Sequence, residues 1–248
     1  MSIGLIQGLA ARRGPGPVVH LLGQPRVCHA GREAPVSDGA ARLLAYLAVH
    51  SGTHERRQVA AALWPDADTA RAAGNLRTAV WRLGGLGPGM VEASPGGLRL
   101  APGALVDVDL LHEWAVRVVS GEATPDDLAC LPWDVEGLDL LPRWQDDWIL
   151  VERERLRQRL LHALEVLGRL LIARGHCAEA VDIALVATAA DELRESAQRV
   201  LIEAYLAEEN RSEAARRFAA YRALLHRELG IEPSPELFSL VDGRARAR

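Results

Sequence analysis

The chain has 248 residues, a formal charge of −4 and 49% hydrophobic residues, enough for one large domain or two ordinary ones with real cores. Aromatics are only 4% and alanine is abundant, which favours helices. The short apolar start is followed, not preceded, by Arg12-Arg13, and no apolar run approaches the roughly 18 residues of a membrane span. Neither a signal peptide nor a membrane helix is therefore expected. The three cysteines, Cys28, Cys130 and Cys177, lie far apart without metal-ligand spacing, which points to free thiols in a reducing cytoplasm. All 29 basic residues are arginine, so every cationic contact falls to a guanidinium. Charge is uneven: residues 1–106 hold 11 arginines against 6 acids, residues 107–248 hold 18 against 27. A basic first part before an acidic second part suits a nucleic-acid module joined to a protein-binding one.

In chain order, residues 1–17 read as a disordered lead-in. From Val18 to Ser37, short apolar runs broken by Gly23, Pro25 and Gly31 predict a small antiparallel sheet. Ser37 or Asp38 can cap a helix with Leu43, Leu44, Leu47 and Ala48 on one face, ending near Ser51-Gly52. A second helix begins near Glu55-Arg56-Arg57, buries Val59, Ala62 and Leu63, and stops at Trp64-Pro65. Asp66 to Thr69 form a loop with capping residues. The third helix puts Ala72, Leu76, Ala79, Val80 and Leu83 on one stripe, with Arg71, Gly74, Thr78 and Trp81 opposite and Asn75, Arg77 and Arg82 at the edges. It ends in Gly84-Gly85. Met90 to Ala93 and Leu98 to Leu100 flank a Ser94-Pro95-Gly96-Gly97 turn, a β-hairpin.

Sheet, three helices and hairpin in that order make a winged helix-turn-helix over residues 18–106. Its third helix is expected in the major groove and its hairpin beside the backbone or minor groove. Arginine can bridge phosphates or grip guanine, Asn can read adenine and Thr can meet a thymine methyl. The candidate DNA-binding residues are Arg71, Asn75, Arg77, Thr78, Trp81 and Arg82, with Arg99 in the wing and Arg56 at a helix start, where bare amides also favour phosphate. Trp81 either packs against the wing or covers a sugar.

After a connector at 101–106, helical periodicity takes over. Helices are expected over Asp107 to Val119, Pro125 to Cys130 and about Arg143 to Arg174. Trp64, Trp133, Trp144 and Trp148 read as packing anchors. The segments starting at Ala173 and Ala207 then align at a displacement of 34 residues, with Leu167 matching Leu201, Leu171 matching Tyr205 and Ala180 matching Ala214. That is the tetratricopeptide period. The fold class is thus mainly α: a winged helix-turn-helix (α+β), then an all-α tetratricopeptide-like domain over 107–248. His50 and His54 are separated by Ser51-Gly52, and Asp146-Asp147 and Glu152-Glu154 have no nucleophile placed beside them. No phosphate loop or zinc spacing occurs. No catalytic set, metal or cofactor is expected.

Several strings carry a family resemblance. They are Ala62-Leu63-Trp64-Pro65, Asn75 to Leu83, Asp107-Val108-Asp109, Trp148 with Glu152-Arg153-Glu154-Arg155-Leu156, and Tyr221 to Leu237 with its Glu-Leu-Gly-Ile-Glu-Pro-Ser-Pro core. The chain from about Val18 to Leu240 resembles the Streptomyces antibiotic regulatory proteins, or SARPs. These join an OmpR-type winged helix to a tetratricopeptide-like bacterial transcriptional activation domain (BTAD). The resemblance implies an activator of a secondary-metabolite (antibiotic) gene cluster in an actinobacterium. It implies binding as a homodimer to promoter direct repeats near the −35 region and recruitment of RNA polymerase through its sigma subunit. By the resemblance, the chain's length fits the small members, and no ATPase, sensor or receiver region is expected. Where relatives often continue the third helix with arginines, this chain has Gly84-Gly85-Leu86-Gly87, so one or two phosphate contacts are expected to be lost. Two other readings are a tetratricopeptide-type interaction adaptor and a ligand-responsive regulator with weak DNA binding.

Overall fold

In the computed structural model, residues 3–14, 16–29, 32–85, 90–129 and 138–243 are described. They form two compact units. One comprises residues 6–113 and 138–155; the other comprises 1–5, 114–137 and 156–248. This division does not follow the boundary expected at 106/107: the first unit takes in the start of the next helix and a later segment.

The lead-in is corrected too. Ile3–Ala11 is a helix, α1, and Leu5, Ile6 and Leu9 on it are buried. Its two internal glycines hide it from propensity, but its apolar residues find a core. Strands β1 (Val18–His20), β2 (Arg26–His29) and β3 (Arg32–Pro35) pair antiparallel, as the punctuation predicts. A fourth strand, β6 (Leu105–Val106), joins the far side of β1 in parallel and lies where only a connector was expected.

The helices α2 (Asp38–Val49), α3 (Arg56–Leu63) and α4 (Thr69–Gly84) follow, then the hairpin β4 (Val91–Ser94) and β5 (Gly97–Leu100). Helix α2 is rich in buried alanine and leucine, with Leu43, Leu44 and Ala45 wholly enclosed, and α4 packs against both α2 and α3. Ala62, expected inside, is exposed on α3, and Ala60 is buried instead.

Helix α5 (Asp107–Ser120) starts directly from β6. Asp107, 1% exposed, accepts hydrogen bonds from the Leu21 and Leu22 amides at 3.0 Å, and His20 Nδ1 lies 3.5 Å away. A buried carboxylate is tolerable only with such partners. Segment 138–144 is fastened to the same unit by main-chain bonds from Gly23 to Asp139 and from Leu141 to Leu21. Arg153 donates to the carbonyls of Leu140, Leu141 and Trp144. Trp144 receives the Arg42 guanidinium over its ring at 5.3 Å, and Trp148 packs on Tyr46 and His50. These two tryptophans are half-buried anchors, as is Trp64, whereas Trp133 and Cys130 lie outside the described residues.

The second unit holds α6 (Pro125–Ala129), the second half of α7 (Asp147–Ala173), α8 (Cys177–Ala190), α9 (Glu195–Ala207), α10 (Arg211–Leu229) and α11 (Pro235–Gly243). Thr124 and Asp127 cap α6 reciprocally, each side-chain oxygen accepting the other's amide. Arg117 grips the Asp127 carboxylate with two nitrogens and, with the Thr124 amide and hydroxyl that also donate to it, holds its pKa well below the usual carboxylate range.

The 34-residue period appears in the helices themselves. Helices α7 and α9 end at Ala173 and Ala207, and α8 and α10 begin at Cys177 and Arg211. The matched Ala180 and Ala214 are both fully buried, which lets paired helices approach closely. Each inter-helix turn passes through the left-handed region, at Gly175 (φ 80°) and at its equivalent Glu209 (φ 60°). The most distinctive family string closes this unit. Gly230 caps α10, Ser234 caps α11 through the Leu237 amide, and Glu195 accepts from the Ser234 amide at 2.9 Å. Leu237 fills a core with Ile202, Tyr221 and Leu225.

Two outcomes follow. Glu209→Gly removes a side chain from a strained backbone and should raise stability by about 1 kcal/mol, read as a melting temperature about 2–4 °C higher. Asp109 on α5 has its pKa pushed up to about 6 by crowding protein atoms, then by the Glu113 and Asp107 carboxylates. Its folded pKa exceeds the unfolded value, so the fold binds the proton more tightly and stability declines as pH rises from about 4 to 6. Thermal melts across that interval should show Asp109→Asn lacking the decline and melting higher than the wild type at pH 7.

Candidate nucleic-acid interface

The candidate surface is built on α4. Its start is set by Asp68, whose carboxylate accepts the Arg71 amide at 2.8 Å, and its end by the cap at Gly85. Ala72, Leu76, Ala79 and Leu83 are each at most 3% exposed, so the apolar stripe faces inward. Val80, assigned to the same stripe, is half-buried at its edge.

The opposite side carries the expected residues. Arg71, Arg77, Thr78, Trp81 and Arg82 are exposed and Asn75 is half-buried. Trp81 is 78% exposed and does not pack against the wing. Thr78 donates its hydroxyl proton to the Gly74 carbonyl at 3.1 Å, so it offers a partner only a methyl group and acceptor lone pairs. Among the described residues, neither Arg71 nor Arg77 has an acidic partner. Arg82 Nη1 donates to the Ser37 hydroxyl at 3.2 Å, which ties the end of α4 to the start of α2 and leaves its charge uncompensated.

Arg99 is a more mixed case. The hairpin register sets it opposite Glu92, and Arg99 Nε donates to Glu92 Oε2 at 2.7 Å. Both side chains are about half exposed, and such a surface pair contributes only about 0–1 kcal/mol. A phosphate can therefore compete for Arg99, but only after displacing a carboxylate that the sequence reading left out. The spacing across the hairpin held the signal for that pair. Arg56 is exposed on the first turn of α3. His50 and His54 use one ring nitrogen each on the carbonyls of Tyr46 and His50; His50 stacks on Tyr46 and lies tilted against Trp148, and His54 meets Tyr46 edge-on.

The wing is held by the segment before α3. His54 and Leu98 exchange two main-chain hydrogen bonds, at 2.8 and 2.9 Å, and Leu98 is fully buried. This close approach demands a glycine next door: a Cβ on Gly97, at φ 142°, falls 2.4 Å from the His54 carbonyl oxygen.

A three-helix core with a strand-paired wing and one cationic outward helix defines a winged helix-turn-helix regulator, here followed by a helical repeat domain. The comparisons agree. Residues 129–243 match the family described as bacterial transcriptional activator domain. The regulatory protein AfsR of Streptomyces coelicolor is 32% identical over 80% of this chain and 21% of its own length. AfsR of Streptomyces griseus is 30% identical over 75% of this chain and 20% of its own length. The chain thus spans about a fifth of these relatives. The solved structure of Mycobacterium tuberculosis EmbR, in complex with a low affinity phosphopeptide, superposes with a TM-score of 0.71 at 21% identity, covering 94% of this chain and 65% of that one. Residues 129–243 thus carry a bacterial transcriptional activator domain, and the chain is similar to SARP-type regulators.

Gly97→Ala tests the wing anchor. The added methyl group must push the hairpin off His54, costing about 2 kcal/mol in thermal or denaturant melts, whereas Gly96→Ala, whose Cβ has only the Ser94 hydroxyl within reach at 3.6 Å, should cost under about 1 kcal/mol.

Proposed function

We propose that this protein is a sequence-specific DNA-binding activator of a secondary-metabolite gene cluster. It acts in the cytoplasm, binds promoter direct repeats near the −35 region as a homodimer and recruits RNA polymerase through its sigma subunit. The observation that carries this reading is the outward face of α4, where Arg71 and Arg77 are exposed and free of acidic partners and flank Thr78 and Trp81. In this reading α4 lies in the major groove, Arg77 and Asn75 reach base edges, and Arg71, Arg82 and Arg56 meet phosphates. Arg99 joins once a phosphate replaces Glu92. The acidic helical unit supplies protein contacts; its charge makes DNA an unfavourable partner there. The activator-domain match and the likeness to AfsR support the regulatory role.

A gel-shift titration against the promoter of the adjacent cluster tests the assignment. Arg77→Ala should weaken specific binding by about 1–3 kcal/mol and relax the preference for the direct repeat over scrambled DNA. Arg71→Ala should weaken both DNAs alike and lower the salt slope by about one. Unchanged sequence preference in Arg77→Ala counts against the placement of α4.

A further inference from the structure

A cleft of about 580 Å³ opens between α3 and α4. Its lining includes Ala60, Ala72 and Leu76, all buried, and the half-buried indole of Trp64. Ala61 and Ala73 also line it, and their small side chains leave the space unfilled. Three guanidiniums complete it: Arg56, Arg57 and Arg77 are exposed and, among the described residues, none has an acidic partner.

The volume falls within the roughly 300–1,000 Å³ of small-molecule sites, which are mostly apolar with a few placed polar groups. An inorganic anion would satisfy the arginines and leave the alanine and tryptophan surface wet. A neutral hydrophobe would cover that surface and leave the charges unused. A flat ring system bearing one acidic group answers both, with Trp64 offering an aromatic face. We infer that the cleft between α3 and α4 binds a planar aromatic organic anion, and that the bound anion occupies Arg56 and Arg77 and so releases DNA. The second clause rests on the regulator reading above; the first does not.

The probe is anilinonaphthalene sulfonate, titrated into the full chain and followed by its emission. Expected is saturation at one probe per chain, with affinity falling about tenfold in Ala61→Phe, which fills the cleft from an exposed position, and in Arg57→Ser. Melting temperatures of both variants should match the wild type. Emission that does not saturate, or affinity unchanged in both variants, overturns the site. A labelled promoter duplex is then added: saturating probe should release it from the wild type and not from Ala61→Phe. A duplex that stays bound to probe-saturated wild type overturns the coupling. A wild type that takes up the probe but binds no duplex overturns the coupling and counts against the regulator reading, while the cleft assignment stands.

Discussion

Burial of Ala72, Leu76, Ala79 and Leu83 against α2 and α3 decides which way α4 faces, and the functional surface depends on that choice. Burying a leucine side chain contributes about 1.5–3 kcal/mol. Turning the helix by one residue, about 100°, would expose Leu76 and Leu83 and drive arginines into the core. Surface arginines cannot oppose this, because they gain little from any one orientation in water. The apolar side sets the orientation, and the cationic side inherits its exposure. The Asp68 cap and the Gly84-Gly85 end then limit how much of the helix is available.

Buried polar groups play the complementary part elsewhere. Asp107 fixes the end of β1 to the start of α5, and Arg153 gathers three carbonyls of a segment with little regular structure. In the helical unit, Arg194 and Ser196 both donate to Glu165, itself 3% exposed. Each group is costly to bury and expensive to leave unpaired, so each specifies one arrangement of its neighbours. Several belong to the strings that carry the family resemblance: Asp107, Arg153 and Ser234 each make hydrogen bonds that hold their own unit together.

Features governed by local periodicity were readable in the sequence. The stripe on α4 and the hairpin emerge within short windows, and the 34-residue displacement emerges when two successive repeats are compared. What escaped reading depended on distant partners or on missing punctuation. Strand β6 is two residues long and exists because Val19 pairs with Val106 from far along the chain. Helix α1 carries two glycines and lacks clean periodicity. The unit boundary at 155/156 falls inside the uninterrupted α7, where no glycine or proline marks it. In the candidate interface, residue identity and outward direction were readable, while the partners of Arg82 and Arg99 were not, since Ser37 and Glu92 come from other elements.

Trp81 leaves a thermodynamic imprint of its own. An indole held 78% in water orders solvent around a large apolar area that the fold does nothing to hide. Covering that ring lowers the heat capacity, whereas displacing counterions from phosphates changes it little. The temperature dependence of the association enthalpy therefore registers whether the indole has been enclosed, separately from how many charges have been neutralised.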